Sequence, residues 1–393
     1  MPLALYLLAL AVFAMGTSEF MLAGLVPDIA ANLDVSVGTA GLLTSAFAIG
    51  MVVGAPSMAI LARRWQQGDA LLCCVVLFAL CHVVGALSPT FAILLATRVV
   101  AALANAGFLA VALSTAVKLV APDQKGRALA VLLSGTTIAT VAGVPAGALI
   151  GTALGWRATF WAIAVVCVPA AYGIVRSIPR RSAHDSPDST TQPSLRAELA
   201  VLGSARLLTA ILLAALVNAG TFATFTFLAP IVTDTAALGE LWVSFALVLF
   251  GLGSFVGVTM AGHLSDSRPV LTIGIGSPLL VAGWVALAML ADQPAALLTL
   301  VFTQGVLAFA VGSTLISQVL YAAADAPTMG GSYATAALNV GAAAGPVMGA
   351  AALTAAGNDV GPVWVTVGLT GTVSLVMLPL RRMITPRVPT SLQ

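Results

Sequence analysis

The chain has 393 residues, of which 60% are hydrophobic and only 8% are charged, and its mean hydropathy is +1.07. A soluble domain carries about a quarter charged residues, so this composition excludes a water-soluble globular protein and predicts a polytopic membrane protein. The formal net charge of +2 reflects the placement of basic residues in loops, and we expect no nucleic-acid partner.

The predicted elements are twelve membrane-spanning helices. Each apolar run is long enough to cross about 30 Å of hydrocarbon, and none shows the alternation of a membrane strand. The first run contains Glu19 and lacks a basic N-terminal region, so we expect a retained helix rather than a cleaved signal peptide. In chain order the runs comprise residues 3–26, 37–60, 70–88, 91–117, 128–151, 158–177, 207–232, 241–262, 270–290, 295–319, 330–355 and 362–380.

The distribution of Lys and Arg predicts the orientation of these helices. With a cytoplasmic N-terminus, Arg157 is the one basic residue in an outer loop, and the other basic loop residues face inward. The positive-inside rule then places both termini in the cytoplasm, and we expect a multi-pass protein of the cytoplasmic membrane. All four cysteines fall within predicted spans, at spacings that suggest neither a disulfide nor a metal site. We therefore expect no metal and no cofactor.

The twelve runs divide six and six about a polar segment at residues 180–199, whose composition predicts a flexible linker. We predict an N-terminal bundle at 1–178, a linker at 179–206 and a C-terminal bundle at 207–393, acting as a monomer. The two halves form pseudo-repeats in the same orientation, which predicts a substrate site near the midplane between them. A shift of 203 residues lays Phe47 on Phe250, Gly50 on Gly253, Gly54 on Gly257, Leu61 on Leu264 and Pro27 on Pro230.

Two runs carry glycines at every fourth position beside a proline. Such stripes let helix backbones approach closely, and each proline removes one backbone hydrogen bond. The pattern fits tight packing alone, and it also fits a hinge or sliding surface that seals the outer side during transport. The residues are Gly143, Pro145 and Gly147 in the fifth run and Gly345, Pro346 and Gly349 in the eleventh.

Glu19 and Arg98 are the two charged residues well inside predicted spans. Glu19 lies eight residues before Pro27, and Arg98 lies eight residues after Thr90, so both are about 12 Å below the outer boundary. Intramembrane charges are functional by default, although a static pair that only fixes packing is the alternative.

The functional interpretation makes Glu19 a proton carrier. Burial disfavours an ionised carboxylate and a nearby arginine favours it. Movement of Arg98, or the entry of water, would therefore make Glu19 bind or release its proton. Arg98 stays charged and would tune Glu19 and hold its helix. The 203-residue shift offers Phe222 and Val301 instead, so we expect the proton chemistry to be confined to the N-terminal half.

Three segments resemble motifs of the major facilitator superfamily. AGVPAGALIG is similar to the fifth-helix motif of its drug and proton antiporters, TSEFMLAGLVPDIA to the first-helix motif of its twelve-helix drug exporters, and LLATRVVAALANAG to the fourth-helix motif built on a membrane arginine. The likeness covers essentially the whole chain, and it is nearest to the chloramphenicol-efflux permeases of actinomycetes. The resemblance implies a proton-coupled exporter of a small drug, with protons and the lipid bilayer as its other partners.

The loop after the second run departs from the superfamily pattern. The family has an aspartate where AILARRWQQGD has Arg63, and a glycine where it has Ala59. In the family that aspartate helps to latch the outward-facing state, so this half of the latch is in doubt. The second copy, GHLSDSR, keeps Asp266 and Arg268, which we expect to retain a latch in the C-terminal half.

In the family, helices 1, 4, 7 and 10 line the central cavity. Aromatic walls with a few amides suit a modest-sized, mainly neutral, amphiphilic compound, although each polar residue could instead be interhelical glue. An exporter of a sugar or other metabolite, and less readily a non-transporting ligand sensor, are the alternatives; no cluster of catalytic side chains indicates an enzyme. The cavity candidates are Asn105, Asn218, Phe222, Phe225, Phe227 and Gln304, with Tyr333 and Asn339 from helix 11.

Overall fold

A computed structural model of the chain describes residues 2–61, 66–121, 124–177, 195–264, 269–326 and 329–384. Within these ranges the structure is helical and contains no strand. Arg63, Asp266 and Arg268, the residues of the predicted latch, lie outside the described residues.

Most helices match a predicted apolar run closely, because hydropathy alone determines which segments can be buried in lipid. The helices are α1 Leu3–Phe20, α2 Val26–Asn32, α3 Val37–Leu61, α4 Gln67–Leu87, α5 Phe91–Lys118, α6 Lys125–Ile138, α7 Val144–Leu154, α8 Trp156–Ser177, α9 Leu195–Ala200, α10 Ala205–Phe225, α11 Leu228–Pro230, α12 Leu241–Leu264, α13 Pro269–Leu290, α14 Pro294–Ala322, α15 Gly330–Ala356 and α16 Gly361–Ile384.

Eleven helical segments of the described chain are long and apolar enough to cross a membrane. The α6–α7 segment counts as one of them, from Lys125 to Leu154. A shorter apolar helix at Gly361–Met377 coincides with the twelfth predicted run. The protein is therefore an all-α, multi-pass membrane protein, whereas the twelfth span and the orientation stay predictions.

The first and seventh predicted spans are broken near their C-terminal ends rather than continuous. α1 ends at Phe20, and a 3-10 turn at Met21–Gly24 leads into α2. α10 likewise ends at Phe225 and is followed by α11 and a π-helical turn at Ile231–Thr235. Pro27 and Pro230 lack the N–H that a continuous helix needs, and proline is favoured in the first turn of a new helix, so the breaks precede them.

The fifth predicted span contains a wide turn at its proline. α6 passes through a π-helical turn at Ala139–Gly143 before α7 begins, and Pro145 is the second residue of α7. Because Pro145 cannot donate to the carbonyl of Val141, the wider turn accommodates the lost bond. α15 instead runs unbroken through Pro346. The two proline sites, which we expected to act alike, thus differ in local structure.

Glycines set the closest helix crossings, and the crossings recur in the two halves. A Cβ at Gly50 in α3 would lie 2.6 Å from the carbonyl oxygen of Val99 in α5. A Cβ at Gly253 in α12 would overlap the carbonyl oxygen of Phe302 in α14, the residue that a shift of 203 lays on Val99. The same pair of helices therefore crosses at the same register in each half, as the repeated sequence pattern requires.

The described end of the predicted flexible linker is ordered as helical turns. α9 and a 3-10 turn at Val201–Gly203 precede α10, and the Glu198 side chain on α9 is fully buried. One carboxylate oxygen of Glu198 accepts a 2.8 Å hydrogen bond from the backbone N–H of Met329, at the start of α15. An acidic side chain satisfies free N–H groups at a helix N-terminus, so this contact fastens the linker to α15.

Candidate functional site

The last turn of α1 presents three successive side chains to three different surroundings. Ser18 is buried against α4 and α5, Glu19 is half-buried beside α5, and Phe20 lines a cavity that faces α10 and α12. Successive residues of an α-helix point about 100° apart, so one turn can contact three neighbours. The carboxylate that we predict to carry the proton, Glu19, and the cavity-lining ring of Phe20 therefore belong to adjacent residues.

Arg98 is buried, with 1% of its surface exposed, and is bound to the end of α1. Its Nη1 donates to the hydroxyl of Ser18 at 2.7 Å, and its Nη2 donates to the Ser18 carbonyl at 2.8 Å. The Phe47 ring covers the guanidinium, with Cζ 4.4 Å from the ring centroid. Two charge-assisted hydrogen bonds, a cation–π contact and the negative end of the α1 dipole all favour a cation here.

The Glu19 carboxylate accepts a hydrogen bond from a different residue of α5. Nδ2 of Asn105 lies 3.5 Å from Oε2 of Glu19 and 3.6 Å from the sulfur of Met51. In the described structure the terminal nitrogens of Arg98 are bonded to Ser18 and not to Glu19, although the two charges are close enough to interact electrostatically. Glu19 and Arg98 thus share one cluster without forming a direct hydrogen bond.

His82 joins this cluster, although no sequence pattern indicates a partner for it. Its Nε2 lies 2.7 Å from the Ser18 hydroxyl, and its Nδ1 lies 2.7 Å from the carbonyl oxygen of Phe78 in its own helix. The imidazole is buried between the Phe78 and Phe160 rings, at centroid distances of 4.3 and 5.6 Å. Ser18 therefore connects residues of α4 and α5 through one hydroxyl.

A narrow aromatic cavity lies between segments of the two halves. Phe222 meets Phe20 of α1 at a centroid distance of 5.8 Å, and Phe225 meets Phe250 of α12 at 4.7 Å. Phe250 in turn lies 6.0 Å from Phe309 of α14. Thr140, Val144, Thr221, Leu247, Gly251 and Ser254 complete the lining.

The three amides predicted on the C-terminal side of this cavity lie elsewhere. Asn218 donates to the carbonyl oxygen of Leu338 at 2.6 Å, which joins α10 to α15. Gln304 is fully buried and donates to the carbonyl oxygen of Leu280 at 2.9 Å, which joins α14 to α13. Asn339 donates to the Thr335 carbonyl oxygen within its own helix. In each case the amide satisfies a backbone carbonyl, as buried polar groups generally do.

Two aromatic candidates also lie outside the cavity. Phe227 is fully buried and packs against Gly41 of α3 and Gly349 of α15. The Tyr333 hydroxyl donates to the backbone carbonyl of Glu198 at 2.9 Å, so it contacts the linker. Of the eight predicted cavity residues, Phe222 and Phe225 line the aromatic cavity, and Asn105 lies beside Glu19.

The predicted hinge glycines are sites of close helix contact. A Cβ at Gly143 would overlap the Thr17 hydroxyl of α1, and one at Gly345 would overlap the Ala219 carbonyl oxygen of α10. Gly147 lies against Thr159 of α8, whose hydroxyl donates to the Gly147 carbonyl oxygen at 2.8 Å. Gly143 and Gly345 therefore leave no room for a larger side chain, whether or not the helices move.

A family model described as Major Facilitator Superfamily matches residues 8–346 of the chain. The chain belongs to the major facilitator superfamily. Membership identifies it as a membrane transporter rather than an enzyme, and confirms the family predicted from the first-, fourth- and fifth-helix motifs.

Individual relatives extend the family assignment over the full length. The chain is 64% identical over 389 residues to the chloramphenicol resistance protein of Streptomyces lividans, covering 99% of each protein. It is 31% identical over 348 residues to the inner membrane transport protein YdhP of Escherichia coli K12, covering 88% of each.

The fold also matches that of a solved structure. A bacterial homologue of the human lysosomal transporter Spinster, in an inward-facing and unoccupied conformation, superimposes with a TM-score of 0.73 at 16% sequence identity. The match covers 97% of this chain and 95% of the other. At this identity the likeness concerns the fold.

Proposed function

We propose that the protein exports a small neutral drug, chloramphenicol or a similar compound, from the cytoplasm in exchange for protons. It would act as a monomer in the cytoplasmic membrane, with twelve spans, both termini inside, and halves at residues 1–178 and 207–393 joined by the 179–206 linker. Support for the drug comes from the 64% identity with a chloramphenicol resistance protein over nearly the whole length of both chains.

Support for proton coupling comes from one observation: Glu19 lies between Ser18 of the arginine cluster and Phe20 of the cavity wall. A proton on Glu19 removes a negative charge from the last turn of α1, next to a buried cation. That change alters how Arg98 and Ser18 hold this turn, and Phe20 moves with it. Protonation of Glu19 and binding of the drug in the cavity would therefore oppose each other, because both act on the last turn of α1.

The chemistry of the cavity fits a neutral ligand with an aromatic ring and hydrogen-bond donors. Rings of Phe222, Phe225 and Phe250 offer stacking surfaces, and the lining residues include none with a charge. The hydroxyls of Thr140, Thr221 and Ser254 each donate to a carbonyl of their own helix, at 2.7–2.9 Å. Their lone pairs remain available to accept hydrogen bonds from O–H or N–H groups of a ligand.

Alternating access would separate contacts that now join the halves on both sides of the cavity. Gly38 of α3 lies against Ala350 of α15 near one end of these helices, and Ser332 approaches the Ala55 carbonyl oxygen at 3.4 Å near the other. The π-helical turn at Ala139–Gly143 contains the cavity residue Thr140 and directly precedes the cavity residue Val144, and it offers a place for α6 and α7 to bend.

Drug susceptibility of cells tests this function. Cells expressing the wild type, Glu19→Gln or an empty vector would be challenged with chloramphenicol and a panel of chemically different antibiotics, with membrane levels matched by immunoblot. We expect the wild type to raise the chloramphenicol tolerance and Glu19→Gln to lose that protection. Equal protection by Glu19→Gln would refute proton coupling through Glu19, and no protection by the wild type against any antibiotic would favour a metabolite exporter.

A further inference from the structure

Arg98, Ser18 and His82 form one buried hydrogen-bonded chain across three helices. The two side-chain bonds of Ser18 both measure 2.7 Å, to Nη1 of Arg98 and to Nε2 of His82. All three residues are at most 1% exposed. Such a chain is costly to leave half-satisfied in an apolar bundle, so its members are expected to act together.

The direction of every bond in the chain follows from the groups that form it. Arginine only donates, so the Ser18 oxygen accepts from Arg98 with one of its two lone pairs. The carbonyl of Phe78 only accepts, so Nδ1 of His82 carries the imidazole proton. A second buried cation beside Arg98 would be unfavourable, so His82 is neutral; its Nε2 then accepts the Ser18 proton and fixes the orientation of that hydroxyl.

The C-terminal half shows what this hydroxyl does without a histidine. The 203-residue shift lays Ser18 on Thr221 and His82 on Val285. The Thr221 hydroxyl donates to the carbonyl oxygen of Val217, four residues back in its own helix, at 2.9 Å. At the matched position, where no histidine is available, the hydroxyl therefore turns to its own backbone.

Arg98 is held firmly in one place but is not fully satisfied there. Its Nε is buried without a hydrogen-bond partner in the described structure, while both terminal nitrogens are bound to Ser18. A buried unpaired N–H of a charged group is unfavourable, which gives the guanidinium a reason to exchange partners when another acceptor becomes available. Glu19 directly follows Ser18 in the chain, and its carboxylate is an anionic acceptor for the guanidinium.

We propose that His82 is a positioning residue that, through the hydroxyl of Ser18, holds Arg98 on the end of α1 and away from the Glu19 carboxylate. Release of this chain then lets Arg98 move to Glu19, which sets the external pH at which the carboxylate takes up a proton. The inference rests on the proposed proton coupling by Glu19. His82 takes up no second proton in the cycle, because a buried imidazolium beside the Arg98 guanidinium would be unfavourable.

The other charged residues of the helices packed against α1 lie in the terminal turns of those helices. α3 and α7 contain no charged residue, and Cys81 on α4 is the other group whose electrostatic interaction with Arg98 is resolved. The remaining titratable residues of α1, α6 and α8 are Tyr6, Lys125, Arg127, Arg157, Cys167, Tyr172 and Arg176, and the charged ones are confined to terminal turns.

The test measures chloramphenicol transport by full-length protein in liposomes as a function of pH on the proton-supplying side. His82→Leu removes the acceptor, and Ser18→Ala removes the hydroxyl that links His82 to Arg98. Each change should let Arg98 move nearer to Glu19 and favour the ionised carboxylate. We therefore expect each to shift the pH midpoint of transport toward acid by about one unit. His82→Gln keeps an acceptor oxygen and should retain the wild-type midpoint. Val285→Leu, at the matched position of the other half, should also leave it unchanged.

The double variant distinguishes a relay from two unrelated packing defects. Ser18→Ala with His82→Leu should shift the midpoint no further than either single change, because both interrupt one chain. Additive shifts, or a wild-type midpoint in both single variants, would overturn the proposal. If His82→Leu does not fold, as judged by its melting temperature in detergent, Ser18→Ala and His82→Gln still decide it.

Glu19→Gln separates this inference from the proposed function. If Glu19→Gln abolishes the pH dependence while the His82 and Ser18 variants match the wild type, proton coupling stands and the relay is refuted. If Glu19→Gln transports with the wild-type pH dependence, proton coupling by Glu19 is refuted, and so is the positioning role of His82 that rests on it.

Discussion

The two halves cross their helices at the same registers, yet they bury opposite kinds of side chain at matched positions. The N-terminal half has Ser18, Glu19 and Arg98 where the 203-residue shift gives Thr221, Phe222 and Val301. The first set forms a polar cluster, whereas Phe222 lines an aromatic cavity and Val301 is buried among apolar side chains. A duplicated scaffold therefore holds a polar, charged cluster in one half, and the other half contributes most of the aromatic rings of the cavity.

Arg98→Ala tests the ionic side and should have the largest effect. Without the guanidinium, the Ser18 carbonyl loses a charge-assisted bond and Glu19 loses its buried counter-charge, so proton-driven export should fall to background. Arg98→Lys keeps the charge but not the two-point contact, and should retain only a small part of the activity. Uptake by inverted vesicles would measure both.

Val301→Ala is the matched control for Arg98→Ala. It truncates the equivalent position of α14, where the side chain is buried in the apolar core. We expect a loss of about 1–2 kcal/mol in stability with proton coupling intact. If Val301→Ala abolished export as completely as Arg98→Ala, the contrast between the halves would be unfounded.

Phe250→Ala tests the apolar side. Its ring packs on Phe225 and Phe309, and aromatic contacts are worth about 0.5–1.5 kcal/mol each. We expect the KM for chloramphenicol to rise roughly 3- to 30-fold while the number of protons exchanged per drug stays the same. Concentration-dependent transport in liposomes gives the KM, and a changed proton ratio would contradict the division between the halves.

Glu198→Ala tests the joint between the halves. Removing the carboxylate leaves the Met329 N–H at the start of α15 without its partner, which should cost about 1 kcal/mol and lower the melting temperature by a few degrees. Glu198→Gln keeps an acceptor oxygen and serves as the control. A melting temperature unchanged in Glu198→Ala would show that the linker does not stabilise α15.

Asp234→Asn should have the smallest effect, confined to the loops. Partial burial, and then repulsion from Asp234, raise the pKa of Asp359, while a hydrogen bond from Thr235 opposes the shift. A carboxyl whose pKa is raised on folding stabilises less as pH rises through that pKa. Asp234→Asn should therefore raise the melting temperature slightly at neutral pH and match the wild type below about pH 3, where Asp359 is protonated in both states.

Sequence reasoning predicted the helical segments well because lipid imposes one dominant constraint, hydropathy over about 20 residues. It overran the ends of α1 and α10, since apolar residues continue past Phe20 and Phe225 although the backbone changes there. Pro27 and Pro230 are the signal of these breaks in the sequence, because proline suits the first turn of a new helix, here α2 and α11.

The site was only partly predictable. Glu19 and Arg98 were conspicuous as lone charges, whereas Ser18 and His82 are recognisable only once the rotation of α4 against α1 is known. The amides of Asn218 and Gln304 were expected in the cavity because they are polar, but they bind backbone carbonyls of neighbouring helices. Polar side chains in a bundle satisfy the nearest backbone group, and sequence alone does not show which group that is.

Drug-driven proton movement in liposomes tests the central claim most directly. Purified wild type and Glu19→Gln would be reconstituted with a pH-sensitive dye inside, and a chloramphenicol gradient would be imposed without any initial pH difference. We predict that the wild type moves protons against the direction of the drug, and that Glu19→Gln, at the same protein level, moves none. Proton movement by Glu19→Gln equal to that of the wild type would contradict the account.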